Sequence, residues 1–277
     1  YTAYPKVVKG FLQQQLPFRK ASNDEFVLPD VEYQVDTFHV NARHLKAYNR
    51  ICGFKNNTEI PAIYFAVLSQ SLQMHMMTNE QFPFAILGLV HIHNRVVQHR
   101  ILAANLPYRL SCQFGELRPH AKGVQFDFII KVYIGNNVVM EGVSTYLSRQ
   151  KTEKIIENKV IEPLINYQLQ QQWHIPENIG RRYARISGDS NLIHLHALSA
   201  KLFGFKRAIA HGMWTKAKAL ATLELPEKYQ ADVSFKLPVF LPSDVEFLTA
   251  VSGKETEFLL RQQQTEKPHV IGKIISL

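Results

Sequence analysis

Residues Tyr183–Trp214 read YARISGDSNLIHLHALSAKLFGFKRAIAHGMW, and the fold turns on what this stretch leads into. Gly188-Asp189 sits in a turn bounded by Ser187 and Ser190, residue types whose side chains bond nearby backbone and favour loops. Asn191 and His194 follow two and five positions after the aspartate. Ala197–Phe203 has the spacing of a short amphipathic helix, and His211-Gly212-Met213 opens a longer one that runs from Gly212 to Leu223. Four strand-like segments come after it, Ala231–Leu237, Val245–Ser252, Glu257–Gln264 and Val270–Ser276, with turn signals between them.

The first half has the same plan. Pro61–Met77 predicts a helix, with Pro61 well placed at its start. Strand-like segments follow at Ala85–Arg95, Val96–Ala104, Tyr108–Glu116, Val124–Tyr133 and Asn137–Ser148. The alternation in GVQFDFIIKVYI and the turn at Gly135-Asn136 predict a hairpin there. Between the halves, Gln150–Gln172 mixes charges and amides and reads as a connecting segment rather than a core strand. A long helix must bury its apolar stripe, and a curved antiparallel sheet offers the matching surface. The expectation is an α+β double hotdog: a first repeat over 1–149, a linker over 150–172 and a second repeat over 173–277.

A chain of 277 residues can hold one large core or two ordinary ones. With 46% hydrophobic and 20% charged residues it falls among globular proteins. No apolar run approaches the ~20 residues of a membrane helix, and no secretory apolar region stands near the N-terminus. Only Cys52 and Cys112 occur, without a CxxC pair, which argues against a disulfide framework or structural zinc and fits a reducing compartment. A cytoplasmic protein without membrane insertion is expected. The net charge of +9 attracts polyanions. Its Lys and Arg are scattered, however, and no basic stripe interleaved with aromatics points to nucleic acid. A phosphate-bearing coenzyme accounts for the excess equally well.

The Asp189-x-Asn191-x-x-His194 spacing, the HGM triplet, the SFKLPVFLPSDV run from Ser234 to Val245 and the GLVHIHNR run from Gly88 to Arg95 resemble the MaoC-like family of R-specific enoyl-CoA hydratases and dehydratases. The likeness covers most of the chain and is to the double-hotdog members, in which only the C-terminal repeat keeps the motif. It implies that Asp189 and His194 grip and activate a water, with Asn191 orienting them. It also implies that the Gly212 amide, free at a helix start, holds the thioester oxygen as charge develops. Ser187 and His211 are read as supporting residues. Phe235, Trp214, Lys236 and Arg207 are read as substrate contacts, with Arg182 a further candidate for phosphates. No cofactor and no metal is required.

The implied substrate is an acyl-CoA or acyl-carrier-protein thioester, hydrated at its 2-enoyl double bond. The alternatives are a 3-hydroxyacyl-carrier-protein dehydratase of fatty-acid synthesis and a non-catalytic acyl-thioester binding protein. Two departures stand out: Leu192 replaces the family's usual Pro, and Leu220 stands where a small hydroxyl residue is frequent on the main helix. His91 and His93 lack a third ligand and read as structural, and His196 as a surface residue. Having lost the motif, the first repeat is expected to make room for the acyl chain. Monomer and homodimer both remain open, since two repeats in one chain supply the pairing.

Overall fold

Two stretches of chain with the same element order build one sheet. The computed structural model describes residues 26–150, 165–263, 265 and 267–277. The first stretch runs β1 (Glu32–His39), α1 (Ala42–Cys52), α2 (Tyr64–Leu68), α3 (Gln70–Met77), β2 (Leu89–Gln98), β3 (Pro107–His120), β4 (Gly123–Ile134) and β5 (Asn137–Arg149). The second runs β6 (Gln168–Ile175), α4 (Ile179–Ser187), a 3-10 turn (Leu192–His194), α5 (Ala197–Leu202), α6 (Gly212–Thr222), β7 (Tyr229–Phe235), β8 (Ser243–Ser252), β9 (Glu255–Gln262) and β10 (Pro268–Ser276).

The ten antiparallel strands lie in the order β1-β3-β4-β5-β2-β7-β10-β9-β8-β6. Counted inward from either edge, each half places its first, third, fourth, fifth and second strands in turn. The halves therefore meet at β2 and β7, paired from His93↔Ser234 to Gln98↔Tyr229. This is the double hotdog.

Alternation explains the sheet. In β4, Phe126, Phe128, Ile130 and Val132 are buried on one face. Asp127 is also buried, on the other face, where Arg118 grips both its oxygens at 2.7 and 2.9 Å and Thr145 donates to it. In α6 no side is free of the core, since Trp214, Thr215, Lys216, Ala217, Ala219 and Leu220 are all buried. A helix enclosed all round is what the hotdog geometry requires.

Three expectations need correction, and one strand has no counterpart among them. The helix anticipated over Pro61–Met77 begins at Tyr64 and is two pieces, α2 and α3. At the junction, the Ser69 hydroxyl donates to the Ala66 carbonyl and accepts from Gln73, a back-bond that competes with regular helix. The two strands anticipated over Ala85–Ala104 are the single strand β2. The linker reading fails at its C-terminal end, because Gln168–Ile175 pairs with β8 as an edge strand. Its first five residues are exposed, so the amide run carries no core signature; residues 151–164 lie outside the described residues. Finally, β1 at the opposite edge was not anticipated.

The helices of the two halves also touch. His44 of α1 bonds the Ile186 carbonyl of α4 at 2.9 Å, and the Trp214 indole donates to the Ile51 carbonyl at 3.0 Å. Cys52 and Cys112 are buried free thiols. Among the described residues, no helix is long and apolar enough to cross a membrane.

Candidate active site

Helix α4 ends at Gly188, which adopts φ +78° and so turns the chain where a side chain would be strained. The next residue is Asp189. Its own N–H bonds the Ser187 hydroxyl at 3.2 Å, and its Oδ1 accepts the Asn191 N–H at 3.2 Å. The Asn191 side chain accepts the Ile193 N–H and caps the 3-10 turn that carries His194. Asn191 thus holds the aspartate through its backbone and supports the histidine through its carboxamide. Its φ of −58° and ψ of 126° are those a following proline would impose, so Leu192 leaves the chain on the path that the family's Pro would set.

His194 is buried, and its Nδ1 sits 2.8 Å from the Ile209 carbonyl. A carbonyl only accepts, so Nδ1 carries the proton and Nε2 keeps its lone pair. His211 stacks on His194 with ring centroids 3.7 Å apart, and its Nε2 donates to the Asp189 carbonyl at 3.0 Å. Ligand atoms of Asp189, His194 and His211 all lie within 4.8 Å of one another. As a metal set this trio is poorly arranged. The two imidazoles stack at 27° to one another, and in-plane lone pairs on such near-parallel rings do not converge on a tetrahedral ion.

Electrostatics fix the protonation states. Burial lowers the His194 pKa against the pull of Asp189 and the Ile209 carbonyl. His211 is pushed down to about 3 by burial and by His194. Burial works to raise the Asp189 carboxyl, but His211, His194 and the Asn191 amide outweigh it and hold it below the ordinary value. At neutral pH the trio is one carboxylate beside two neutral imidazoles.

His211 also caps α6, so Gly212 is its first residue. A Cβ built on Gly212 would stand 3.0 Å from the Phe235 ring, so any other residue here makes the ring give way by a few tenths of an ångström, and glycine lets the helix start sit against this wall undisturbed. Asp189, His194 and Gly212 open together onto a cavity of about 1020 Å³. Its walls come from both halves, with Ala66, Val67, Phe84 and Leu89 on the first and Phe203, Phe205 and Phe235 on the second.

The other anticipated residues divide. Ser187, Asn191, His211, Phe235 and Lys236 line the cavity, whereas Trp214 and Arg207 do not. Trp214 points at α1, and Arg207 is exposed with its guanidinium over Phe240. Arg182 and His196 are exposed away from the wall. The hydroxyl residue on α6 that faces the cavity is Thr215, not the position of Leu220, which is packed in the core.

Sequence reading missed three more residues. His91 lines the cavity, stacked on Tyr146 at 4.5 Å, while His93 bonds Asp232 at 2.6 Å. A register shift between them, a bulge, sends the two side chains different ways and hides the cavity residue from period-two reading. Gly180 of α4 lies so close to the 3-10 turn that a Cβ there would stand 1.9 Å from the His194 carbonyl oxygen. Lys216 is fully buried; nothing in its sequence neighbourhood separates it from the solvated Lys type.

The sequence model described as "MaoC like domain" matches residues 164–272. The 3-hydroxyacyl-thioester dehydratase X of Mycobacterium tuberculosis is 31% identical over 255 residues, covering 90% of this chain and 91% of its own. The crystal structure of HtdX from Mycobacterium tuberculosis superposes with a TM-score of 0.79 at 29% identity, covering 89% of this chain and all (100%) of that one. A MaoC-like dehydratase from Phytophthora capsici shares the fold with a TM-score of 0.70 at 18% identity, covering 90% of this chain and 96% of that one. Sequence and fold agree: the chain belongs to the MaoC-like family of dehydratases.

Proposed function

We propose that the chain catalyses the reversible hydration of trans-2-enoyl thioesters to 3-hydroxyacyl thioesters, with Asp189 and His194 as its acid–base pair and the Gly212 amide as oxyanion donor. The observation that carries this reading is the joint opening of a carboxylate, a lone-pair imidazole nitrogen and a helix start onto one cavity. The mycobacterial relative is named for the same reaction in the dehydration direction. The R configuration of the product rests on family resemblance.

In hydration, a water held by Asp189 and His194 gives a proton to His194 Nε2 as its oxygen bonds to C3. The neighbouring carboxylate stabilises the imidazolium so formed. Negative charge moves through C2 to the thioester oxygen, where the Gly212 N–H and the dipole of α6 receive it. The proton then passes to C2, so OH and H are both delivered from the one water. Dehydration runs these steps backwards. The apolar wall of the first half, Ala66, Val67 and Phe84, suits the acyl chain, and exposed Lys236 at the cavity suits a phosphate of the thioester carrier.

The test follows loss of the enoyl-thioester absorbance with 2-enoyl-CoA of increasing chain length, and with the carrier-protein thioester. Turnover that rises from the four-carbon chain to longer ones is expected. A folded protein inert on every chain length with both carriers sinks the proposal.

A further inference from the structure

Lys216 is 0% exposed. It lies one helical turn after Gly212, so both residues belong to the same face of α6. Its ammonium donates to the Asn94 carbonyl at 2.8 Å, the Asn94 side-chain oxygen at 2.6 Å and the Ala231 carbonyl at 3.1 Å. Three acceptors take all three ammonium protons, and a neutral amine has only two to give.

Asn94 belongs to β2 and Ala231 to β7, the two strands that join the halves. Asn94 in turn donates to the Ser144 hydroxyl at 3.0 Å and the Val143 carbonyl at 3.2 Å, carrying the connection into β5. On β7, Phe235 lies four residues beyond Ala231 on the same strand face, and this is the ring packed against Gly212. Burial pulls the Lys216 pKa down to about 7, while Asp232 of β7 opposes the shift. His91 of β2, in the cavity wall, is held neutral partly by the same ammonium. The lysine does not line the cavity, so it does not touch substrate.

We propose that Lys216 is a positioning residue: fastened to strands of both halves, its ammonium sets how deeply α6 sits in the joined sheet, and so where the Gly212 amide meets the thioester oxygen. The first half of the chain then contributes to the oxyanion donor of the second. This rests on the role given to Gly212 above, and the test separates the two.

The protein is labelled with ¹⁵N-glycine, and the Gly212 amide resonance is assigned by its loss in Gly212→Ala. Wild type, Lys216→Met, Asn94→Ser and Lys216→Met/Asn94→Leu are compared for that resonance, for thermal midpoint, and for kcat and KM on a 2-enoyl-CoA. Lys216→Met should move the Gly212 resonance and lower kcat by about 100-fold, the scale of a 1 Å misplacement, with KM changed by less than about threefold. Asn94→Ser draws the side-chain acceptor back from Lys216 and takes away the amide donors to β5, and should lower kcat by about tenfold, so it gives an answer even where Lys216→Met does not fold. In the double variant an apolar pair replaces a bonded pair, so the thermal midpoint should recover while kcat does not. An unmoved Gly212 resonance in the folded variants overturns the proposal, as does recovery of kcat along with stability in the double variant. A moved resonance in a protein whose wild type is inert on thioesters would instead overturn the functional reading alone.

Discussion

Gly180→Ala sets two effects of opposite sign against each other. Alanine is favoured over glycine inside a helix by about 1 kcal/mol, an upper limit for Gly180 in the first turn of α4, so on propensity the substitution stabilises the helix. The new Cβ, however, would stand 1.9 Å from the His194 carbonyl oxygen, while ordinary contact begins at 3.4 Å. The obstacle is backbone, with no flexible end to swing away, so α4 and the 3-10 turn must separate by about 1.5 Å. Overpacking of this kind costs about 1–3 kcal/mol, which cancels or exceeds the propensity gain. Catalysis is hit harder, because His194 moves with its carbonyl, and a displacement near 1 Å costs about 100-fold in rate. Initial rates on a 2-enoyl-CoA, with thermal unfolding alongside, read both terms. The expected result is a folded protein with kcat/KM down by about two orders of magnitude and an unfolding midpoint at or below that of the wild type. A variant with full activity and a raised midpoint would show that the contact between α4 and the 3-10 turn does not hold His194 in place.

Other perturbations follow from the same site. Gly212→Pro keeps a residue suited to the first helical position, and His211 at φ −65° and ψ 133° already has the backbone a following proline needs. Gly212→Ala brings the same Cβ against Phe235 but retains the amide, so Gly212→Pro should show kcat lower by a further ~100–1000-fold, the worth of one oxyanion donor; equal rates would remove the amide from the mechanism. Val67→Trp should cut kcat/KM for long 2-enoyl chains by at least about tenfold and leave the four-carbon substrate within about threefold, about the scale on which apolar pockets discriminate; a uniform loss would contradict the placement of the chain. Because the His194 pKa is lowered from 6.5 and its base form is the working one, the acid decline of kcat/KM should have its midpoint below pH 6.5. His211 titrates at about 3 when folded and 6.5 when unfolded. The unfolded chain therefore takes up its proton first, and stability falls by about 1.4 kcal/mol per pH unit across that interval. Urea titrations of His211→Asn should show a shallower acid slope, and an unchanged slope would place the titration elsewhere.

What the sequence made legible was what has a period or a motif. Alternation in Gly123–Ile134 and the Gly135-Asn136 turn are the β4–β5 hairpin. Asp189, Asn191, His194 and Gly212 carry enough spacing to be found together. Edge strands escaped, because β6 is solvated on both faces along its glutamines and looks like linker. His91 escaped because a bulge breaks the alternation that would have set it apart from His93. Trp214 and Arg207 lie near the motif in sequence, but helix rotation and exposure turn them away from the cavity. Gly180 and Lys216 act through contacts across 14 residues and across the seam between halves, distances over which local spacing says nothing.

Whether Asp189 and His194 work as one acid–base pair is read from the rate on a 2-enoyl-CoA for Asp189→Ala, His194→Ala and the double variant, each verified as folded by circular dichroism. Groups that work on one water as a unit lose their effect together. Each single variant should fall by at least about 100-fold, at the scale of acid–base catalysis, and the double variant should fall little further. A single variant that keeps near wild-type turnover would contradict that pairing.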